Sequence, residues 1–233
     1  MSTEQRTNEF GQPIGDAVDW EPRPVVEPAR LVGRTCRIEP LAEEHFADLF
    51  EALCVRSAPR TWTYIAVGPF EDPADLTAWL RALLADPASV PHAICLPDGR
   101  AVGVASYLRL DACNGSVEVG GIVMAEELQR TTPATEAMYL MMRHPFEDLG
   151  YRRYEWKLDA LNAASRRAAE RLGFRYEGRF RNALVYKGRN RDTDWLSITD
   201  AEWPAVKERL EAWLAPENFG DDGRQIEALG AGR

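Results

Sequence analysis

Asn162-Ala163-Ala164-Ser165-Arg166-Arg167-Ala168-Ala169-Glu170-Arg171-Leu172-Gly173-Phe174 spells out a short helix together with both of its ends. Asn162 suits the N-cap, since its side-chain oxygen can accept from a free N–H of the first turn. Gly173 suits the left-handed position just past the helix, with Phe174 folding back to seal it. Arg166 and Arg167 make the start basic, and a capped basic helix start is a natural seat for a phosphate.

Upstream, Ser116 to Val123 alternates as a strand does, with Val117, Val119 and Val123 on one face and Glu118 and Ile122 on the other. Gly120-Gly121 inside it predicts a bulge or a close approach of a ligand to the backbone. Gln129-Arg130-Thr131-Thr132-Pro133-Ala134-Thr135 then opens an apolar helix through Met138, Met141, Met142, Phe146 and Leu149. Thr132 is placed at its N-cap and Pro133 at its first position. Pro145 removes a hydrogen bond within that helix and predicts a kink or a change of packing partner. A second strand over Tyr154–Leu158 leads to the Asn162 helix. Strand–helix–strand–helix implies a right-handed parallel crossover whose two helices start at one edge of the sheet.

With these elements in this order, the chain resembles the GNAT superfamily of acyl-CoA N-acyltransferases, over roughly 31–213. It looks most similar to the branch of ribosomal-protein N-terminal acetyltransferases (RimJ/RimL-like). The superfamily's pyrophosphate loop reads Gln/Arg-x-x-Gly-x-Gly/Ala, and Gln129, Thr132 and Ala134 stand at those positions, Thr132 replacing a glycine. Asn162, Ser165, Gly173 and Phe174 meet the Asn-x-x-Ser/Ala…Gly-Phe pattern. Ala169 stands where many members carry a tyrosine acid. The resemblance implies a mixed α/β sheet of the GNAT fold, an antiparallel meander joined to a parallel βαβ crossover with helices on both faces. It also implies acetyl-CoA as acyl donor and an amine as acceptor, without a metal.

The 233 residues, 45% apolar, suffice for one core. No apolar run spans a bilayer and the polar start lacks a signal peptide's core, so a cytoplasmic protein without membrane contact is expected. Cys36, Cys54, Cys95 and Cys113 lack zinc or disulfide spacing, as do His45, His92 and His144. The net charge of −9 argues against nucleic acid. Within it, Arg143 to Arg191 holds 13 basic and 6 acidic residues, a local +7 that leaves −16 elsewhere. That distribution fits one anionic ligand held in one place, or a solvated surface of ion pairs.

Along the chain, 1–30 reads as an extended arm, 31–214 as the acyltransferase domain and 215–233 as a frayed tail. Strands are expected at Arg34–Glu39, His92–Leu96, Val102–Leu110, Arg175–Phe180 and Asp192–Ile198. Helices are expected at Glu43–Leu53, Asp72–Ala85 and Trp203–Leu214. Pro97-Asp98-Gly99-Arg100 and Asn114-Gly115 supply two hairpin turns.

The resemblance assigns the acyl carbonyl to backbone N–H groups near Ile122 and Val123. It gives the pyrophosphate to Gln129, Arg130, Thr131, Thr132, Ala134 and Thr135, and the cofactor's flank to Asn162, Ser165 and Arg166. Glu118 is the candidate general base, its alternative being an ordinary ion pair. Ser165 is the candidate proton donor to the thiolate, its alternative a helix-start serine. Trp62, Tyr64 and Phe70 are candidates for the acceptor wall, or else core plugs. The function expected is acetyl transfer to a primary amine of a small molecule or a protein N-terminus. A non-catalytic acyl-CoA-binding module is the alternative, and a homodimer is left open.

Overall fold

The computed structural model describes residues 6–230. Eight strands form one sheet: β1 (Leu31–Val32), β2 (Arg37–Pro40), β3 (Ser89–Cys95), β4 (Ala101–Asp111), β5 (Ser116–Met124), β6 (Arg153–Asp159), β7 (Arg175–Tyr186) and β8 (Arg189–Thr199). Their order is β1-β2-β3-β4-β5-β6-β8-β7, and every neighbouring pair is antiparallel except β5 with β6. The helices are α1 (Phe46–Phe50), α2 (Pro73–Ala85), α3 (Thr132–Arg143), α4 (Ala163–Leu172) and α5 (Trp203–Leu214). This is the mixed sheet with a single parallel crossover that the chain order requires.

Alternation decides what each face meets. Tyr107 on β4 donates to the Met141 carbonyl on α3, and Trp156 on β6 packs edge-on against Phe174 below α4. Val117 and Val119 share that buried face, so Glu118 between them points to the opposite one. α1 and α2 pack on each other and against β4 and β3.

Both helix ends around the quoted stretch form as its residues dictate. Asn162 Oδ1 accepts from Ser165 N at 3.0 Å, Gly173 takes φ +112°, and Phe174 N donates to Ala169 O at 3.0 Å. At α3 the cap falls one residue earlier than expected: Thr131, not Thr132, is the N-cap, with Oγ1 accepting from Ala134 N at 3.3 Å. Pro133 therefore occupies the second position. At Pro145 the chain widens into a π-turn over His144–Asp148. Leu149 N reaches His144 O, five residues back, and the slackened turn leaves room for the ring.

Three other expectations shift. Arg34–Cys36 is a turn, not a strand, and the reason lies a hundred residues away in α3. The buried Glu136 carboxylate accepts from the N–H groups of Arg34, Thr35 and Cys36 at 2.8, 2.6 and 3.1 Å and from the Thr35 hydroxyl at 2.6 Å. Gly33 lies so close that an added Cβ would sit 2.5 Å from the carboxylate carbon. β7 and β8 run much longer than expected, joined by Lys187-Gly188 with φ +48° and +68°, a pairing suited to a tight two-residue hairpin. β7 buries neither face fully, so its sequence lacks the alternation that would reveal its length. Residues 215–230 fold back on the domain: Trp213 Nε1 donates to Gln225 and Leu229 is buried. At the other end, Trp20 Nε1 donates to the Cys113 carbonyl and Pro24 O accepts from Tyr151, fixing the arm beneath β5 and β6.

Candidate active site

β5 and β6 pair only from Ser116 with Arg153 to Val119 with Trp156. Beyond that rung each strand continues alone, β5 to Met124 and β6 to Asp159, so the sheet opens into a cleft. The opening coincides with a bulge. β4 keeps Val104 opposite Val123 and Ser106 opposite Gly120, which leaves one extra residue on β5. Gly121 absorbs it at φ +58°, and a Cβ on Gly120 would meet Leu108 Cδ1 at 2.7 Å. The backbone of Ile122 and Val123 thus borders the cleft, with β4 on one side and no paired strand on the β6 side.

The loop at the cleft's end carries a second irregularity. Arg130 holds φ +62°, a conformation uncommon outside glycine, immediately before the Thr131 cap. Among the described residues, the N–H groups of Arg130 and Thr131 donate to nothing, and the Arg130 side chain is exposed and without a hydrogen-bond partner. Successive free N–H groups at such a turn, over a helix start, form an anion-binding concavity. Gln129 instead ties the loop down, donating from Nε2 to Met124 O at 2.9 Å. Thr132 and Ala134 lie in the helix's first turn, and Thr135 Oγ1 accepts from Arg171 at 3.0 Å.

Across the cleft, Ser165 sits in the first turn of α4. Its hydroxyl oxygen accepts from Trp156 Nε1 at 3.0 Å, which leaves its proton to donate. Ala169, one turn on, is fully buried. Asn162 spends its carbonyl oxygen on the cap. Arg166, expected on the cofactor's flank, already has partners within the protein. Its guanidinium pairs with the wholly buried Asp194, stacks 4.7 Å from the Tyr176 ring, and lies 3.6 Å from Glu170. Asp194 also holds Arg179 at 2.7 Å. Burial pushes its carboxyl up, but hydrogen bonds and charge from the two arginines outweigh that and hold it below the usual range.

Glu118, only 4% exposed, faces away from α3 two residues before the bulge. Burial raises its pKa above that of an ordinary glutamate, Lys157 opposes through contact and charge, and Glu155 reinforces the rise. Lys157 Nζ lies 2.6 Å from Glu118 Oε2, yet too poorly aligned to satisfy that oxygen as a hydrogen bond. Sequence reasoning missed Lys157. Alternation along β6 puts it on the polar side, but the parallel register with β5 is not readable from one chain.

The three aromatic candidates separate. Trp62 is 1% exposed, donates to Leu53 O at 3.2 Å, and meets Phe70 and Trp79 edge-on at 5.1 and 5.6 Å. Phe70 stacks on Trp79. Trp62 belongs to the core cluster beside α2, and Phe70 is partly buried against it. Tyr64 alone reaches outward, its hydroxyl donating to Leu161 O at 3.1 Å on the β6–α4 loop. Lys187, at the β7–β8 turn, donates to Trp62 O at 2.8 Å and closes the hairpin over the same loop.

Glu39, His45 and Cys95 bring possible ligand atoms within 4.8 Å of one another. Ala42 N–H donates to His45 Nδ1, which puts the ring proton on Nε2, 3.6 Å from Glu39. That nitrogen has no lone pair to offer, and Arg37 takes the other Glu39 oxygen at 3.0 Å. Glu39 and His45 are thus already engaged with Arg37 and the Ala42 N–H. No helix among the described residues is long and apolar enough to cross a membrane.

A cleft between diverging parallel strands, a bulge at its mouth and an anion seat at its end coincide with a sequence match. The profile of the family described as "Acetyltransferase (GNAT) domain" matches residues 36–175. The chain belongs to this acetyltransferase family. It is similar to a GCN5-related N-acetyltransferase from Brucella melitensis whose crystal structure is known: 42% identity, covering 91% of this chain and 96% of that one, TM-score 0.88. A probable GNAT-family acetyltransferase from Chromobacterium violaceum is 35% identical, covering 83% of this chain and 99% of the other, TM-score 0.76. "Putative ribosomal N-acetyltransferase YdaF" from Bacillus subtilis is 31% identical over 112 residues, 48% of this chain. The match spans 61% of the length of that curated relative. The protein is accordingly an acyltransferase enzyme of a family whose acyl donor is acetyl-CoA.

Proposed function

We propose that this acetyltransferase moves an acetyl group from acetyl-CoA to a primary amine, of a small molecule or a protein N-terminus, by direct attack of the amine on the thioester. The observation that carries the reading is the cleft between β5 and β6, flanked by the bulge and ended by the free N–H groups of Arg130 and Thr131. The cleft and loop fit an extended thioester ending in a pyrophosphate. Ile122 and Val123 would border its arm, and Arg130 to Ala134 its phosphates, with Arg130 the uncommitted cation there.

Three chemical roles then fall to the chain. Glu118 takes the proton that the attacking nitrogen must lose, directly or through water, and its raised pKa brings it nearer to neutrality as a base. Backbone N–H groups at Ile122 and Val123 stabilise the charge that develops on the carbonyl oxygen. The Ser165 hydroxyl, polarised by the Trp156 indole N–H, supplies a proton to the departing thiolate. Similarity to the "Putative ribosomal N-acetyltransferase YdaF" of B. subtilis supports a ribosomal acceptor within that range.

Release of free thiol from acetyl-CoA across a panel of amines and N-terminal peptides tests the reading; a protein that binds acetyl-CoA without turnover would be the non-catalytic module instead. Two further results are expected. Acetyl-CoA at a hundred times its Kd should stabilise the fold by about 2.7 kcal/mol. Arg130→Glu, which sets an anion beside the pyrophosphate, should remove most of the accompanying Tm rise. An undiminished rise would move the phosphate seat elsewhere. Tyr64→Ala should raise the acceptor KM several-fold with little loss of stability. Trp62→Ala, in the core cluster, should cost about 3–5 kcal/mol. Tm and steady-state kinetics on both variants check the division, and equal destabilisation would return Tyr64 to the core.

A further inference from the structure

The Glu118 face carries two cations for which proton abstraction has no need. Lys157 from β6 places Nζ 2.6 Å from Glu118 Oε2. Arg109 from β4 brings Nε to 3.9 Å from the same oxygen and 3.8 Å from Glu155 Oε2. Arg109 holds φ +48°, a left-handed conformation uncommon for a side-chain-bearing residue, where the β4–β5 register shifts between Leu108 and Asp111. Its side chain crosses the sheet, with Cζ 5.0 Å from the Trp195 ring on β8, while Lys157 Nζ lies 4.8 Å from that ring. One indole therefore supports both cations.

The two other glutamates on this face are matched by Arg153. Glu155 accepts from Arg153 Nε at 2.7 Å, and the other end of Arg153 grips Glu177 at 2.6 Å. Glu118, Glu155 and Glu177 stand against Arg109, Arg153 and Lys157, three anions and three cations. Besides Glu118 Oε2, two buried polar atoms on this face have no hydrogen-bond partner among the described residues, Trp195 Nε1 and Ser106 Oγ. Ser106 lies two residues along β4 from Leu108, the register partner of Glu118, and so shares its side of the sheet.

We propose that Lys157, with Arg109 beside it, selects the acceptor by charge: amines with neutral or anionic surroundings are admitted to Glu118, and amines carrying a second cation nearby, polyamines above all, are turned away. The inference rests on the acetyl-transfer reading with Glu118 as base. An arriving nitrogen shares Glu118 with Lys157, and the next carboxylate on this face, Asp159, is buried and already accepts from Leu161 N at 2.8 Å and the Tyr186 hydroxyl at 2.7 Å. At about 6 Å from either cation, repulsion through a partly shielded medium amounts to more than tenfold in affinity. The Trp195 N–H and Ser106 hydroxyl, by contrast, welcome a carbonyl or hydroxyl beside the amine. Lys157 is a positioning residue, acting through Glu118.

The test compares n-butylamine with 1,4-diaminobutane as acceptors, using wild type, Lys157→Met and Lys157→Arg. Wild type should favour the monoamine about tenfold or more in kcat/KM. Lys157→Met should narrow the preference severalfold, Arg109 sustaining the rest, and Lys157→Arg, which keeps the charge, should retain most of it. In parallel, the Glu118 carboxyl is titrated by 13C NMR. Its midpoint should rise in Lys157→Met, which leaves Arg109, Glu155 and Arg153 as the charged groups around it, and return towards wild type in Lys157→Arg. Equal use of the two amines by wild type, unchanged selectivity in Lys157→Met, or an unmoved midpoint would each overturn the proposal. Should no amine turn over, the acetyl-transfer reading fails by itself. The relative affinities of the two amines, read from the Trp195 indole signal, then decide the charge selection.

Discussion

Glu118→Gln should lower kcat at pH 7 by about a hundredfold or more, the usual worth of a positioned base. The substitution keeps the shape of the side chain and removes its ability to take a proton. Glu118 acts in its ionised form, so wild-type rate rises with pH as it deprotonates. Because burial lifts its pKa, that rise falls above the ordinary carboxylate range. In the variant this limb disappears. What remains follows the deprotonation of the acceptor amine itself, so the deficit shrinks as pH approaches the amine's own pKa. Acetyl-CoA affinity should stay as it was, since Glu118 faces away from the phosphate loop. A pH–rate profile identical to wild type would remove the base role and leave Glu118 as half of an ion pair with Lys157.

Glu136→Ala should be the most damaging single change to the fold outside the aromatic core. It strips the acceptor from three backbone N–H groups and a hydroxyl in the β1–β2 turn, none with another partner in place. Hydrogen bonds to a charged group are the stronger kind, and leaving several donors unmet costs about 3–5 kcal/mol in total. For a chain of this size that corresponds to a Tm lower by roughly 8–15 °C. Glu136→Gln, which keeps one acceptor oxygen, should recover part of it. Thermal unfolding of the two variants checks the order, and an alanine variant as stable as wild type would show that the turn stands unaided.

What the sequence disclosed and what it hid divide by range. The Asn162 cap, the Gly173 end, the Gly120-Gly121 bulge and the crossover all depend on residues close together in the chain, and each was legible. Thr131 displaced Thr132 as cap because both are good caps, and only the left-handed turn at Arg130 decides between them. Arg166 looked free because its partner Asp194 is 28 residues on, reached only when β8 lies beside β6. Trp62 looked like a wall because a loop aromatic gives no sign of which way it turns; the core formed by α1 and α2 decides that. Glu136 and Lys157 were silent for the same reason. Each is a charged residue on a regular element, and only tertiary register shows that one anchors a turn and the other touches Glu118.

The rung at Val119 and Trp156 divides the sheet into a stitched end and an open end. Glu118 lies at the stitched end, and Ser165 hangs from Trp156 at the last stitch. Everything that would grip the donor, from Ile122 through Arg130, lies at the open end. On the proposed reading the protein resembles a pair of tongs whose parts for moving protons sit at the pivot and whose jaws hold the donor and its carbonyl oxygen. Any change of angle between the jaws is smallest at the pivot, so the spacing of base and acid is insulated from the act of admitting a long, flexible substrate.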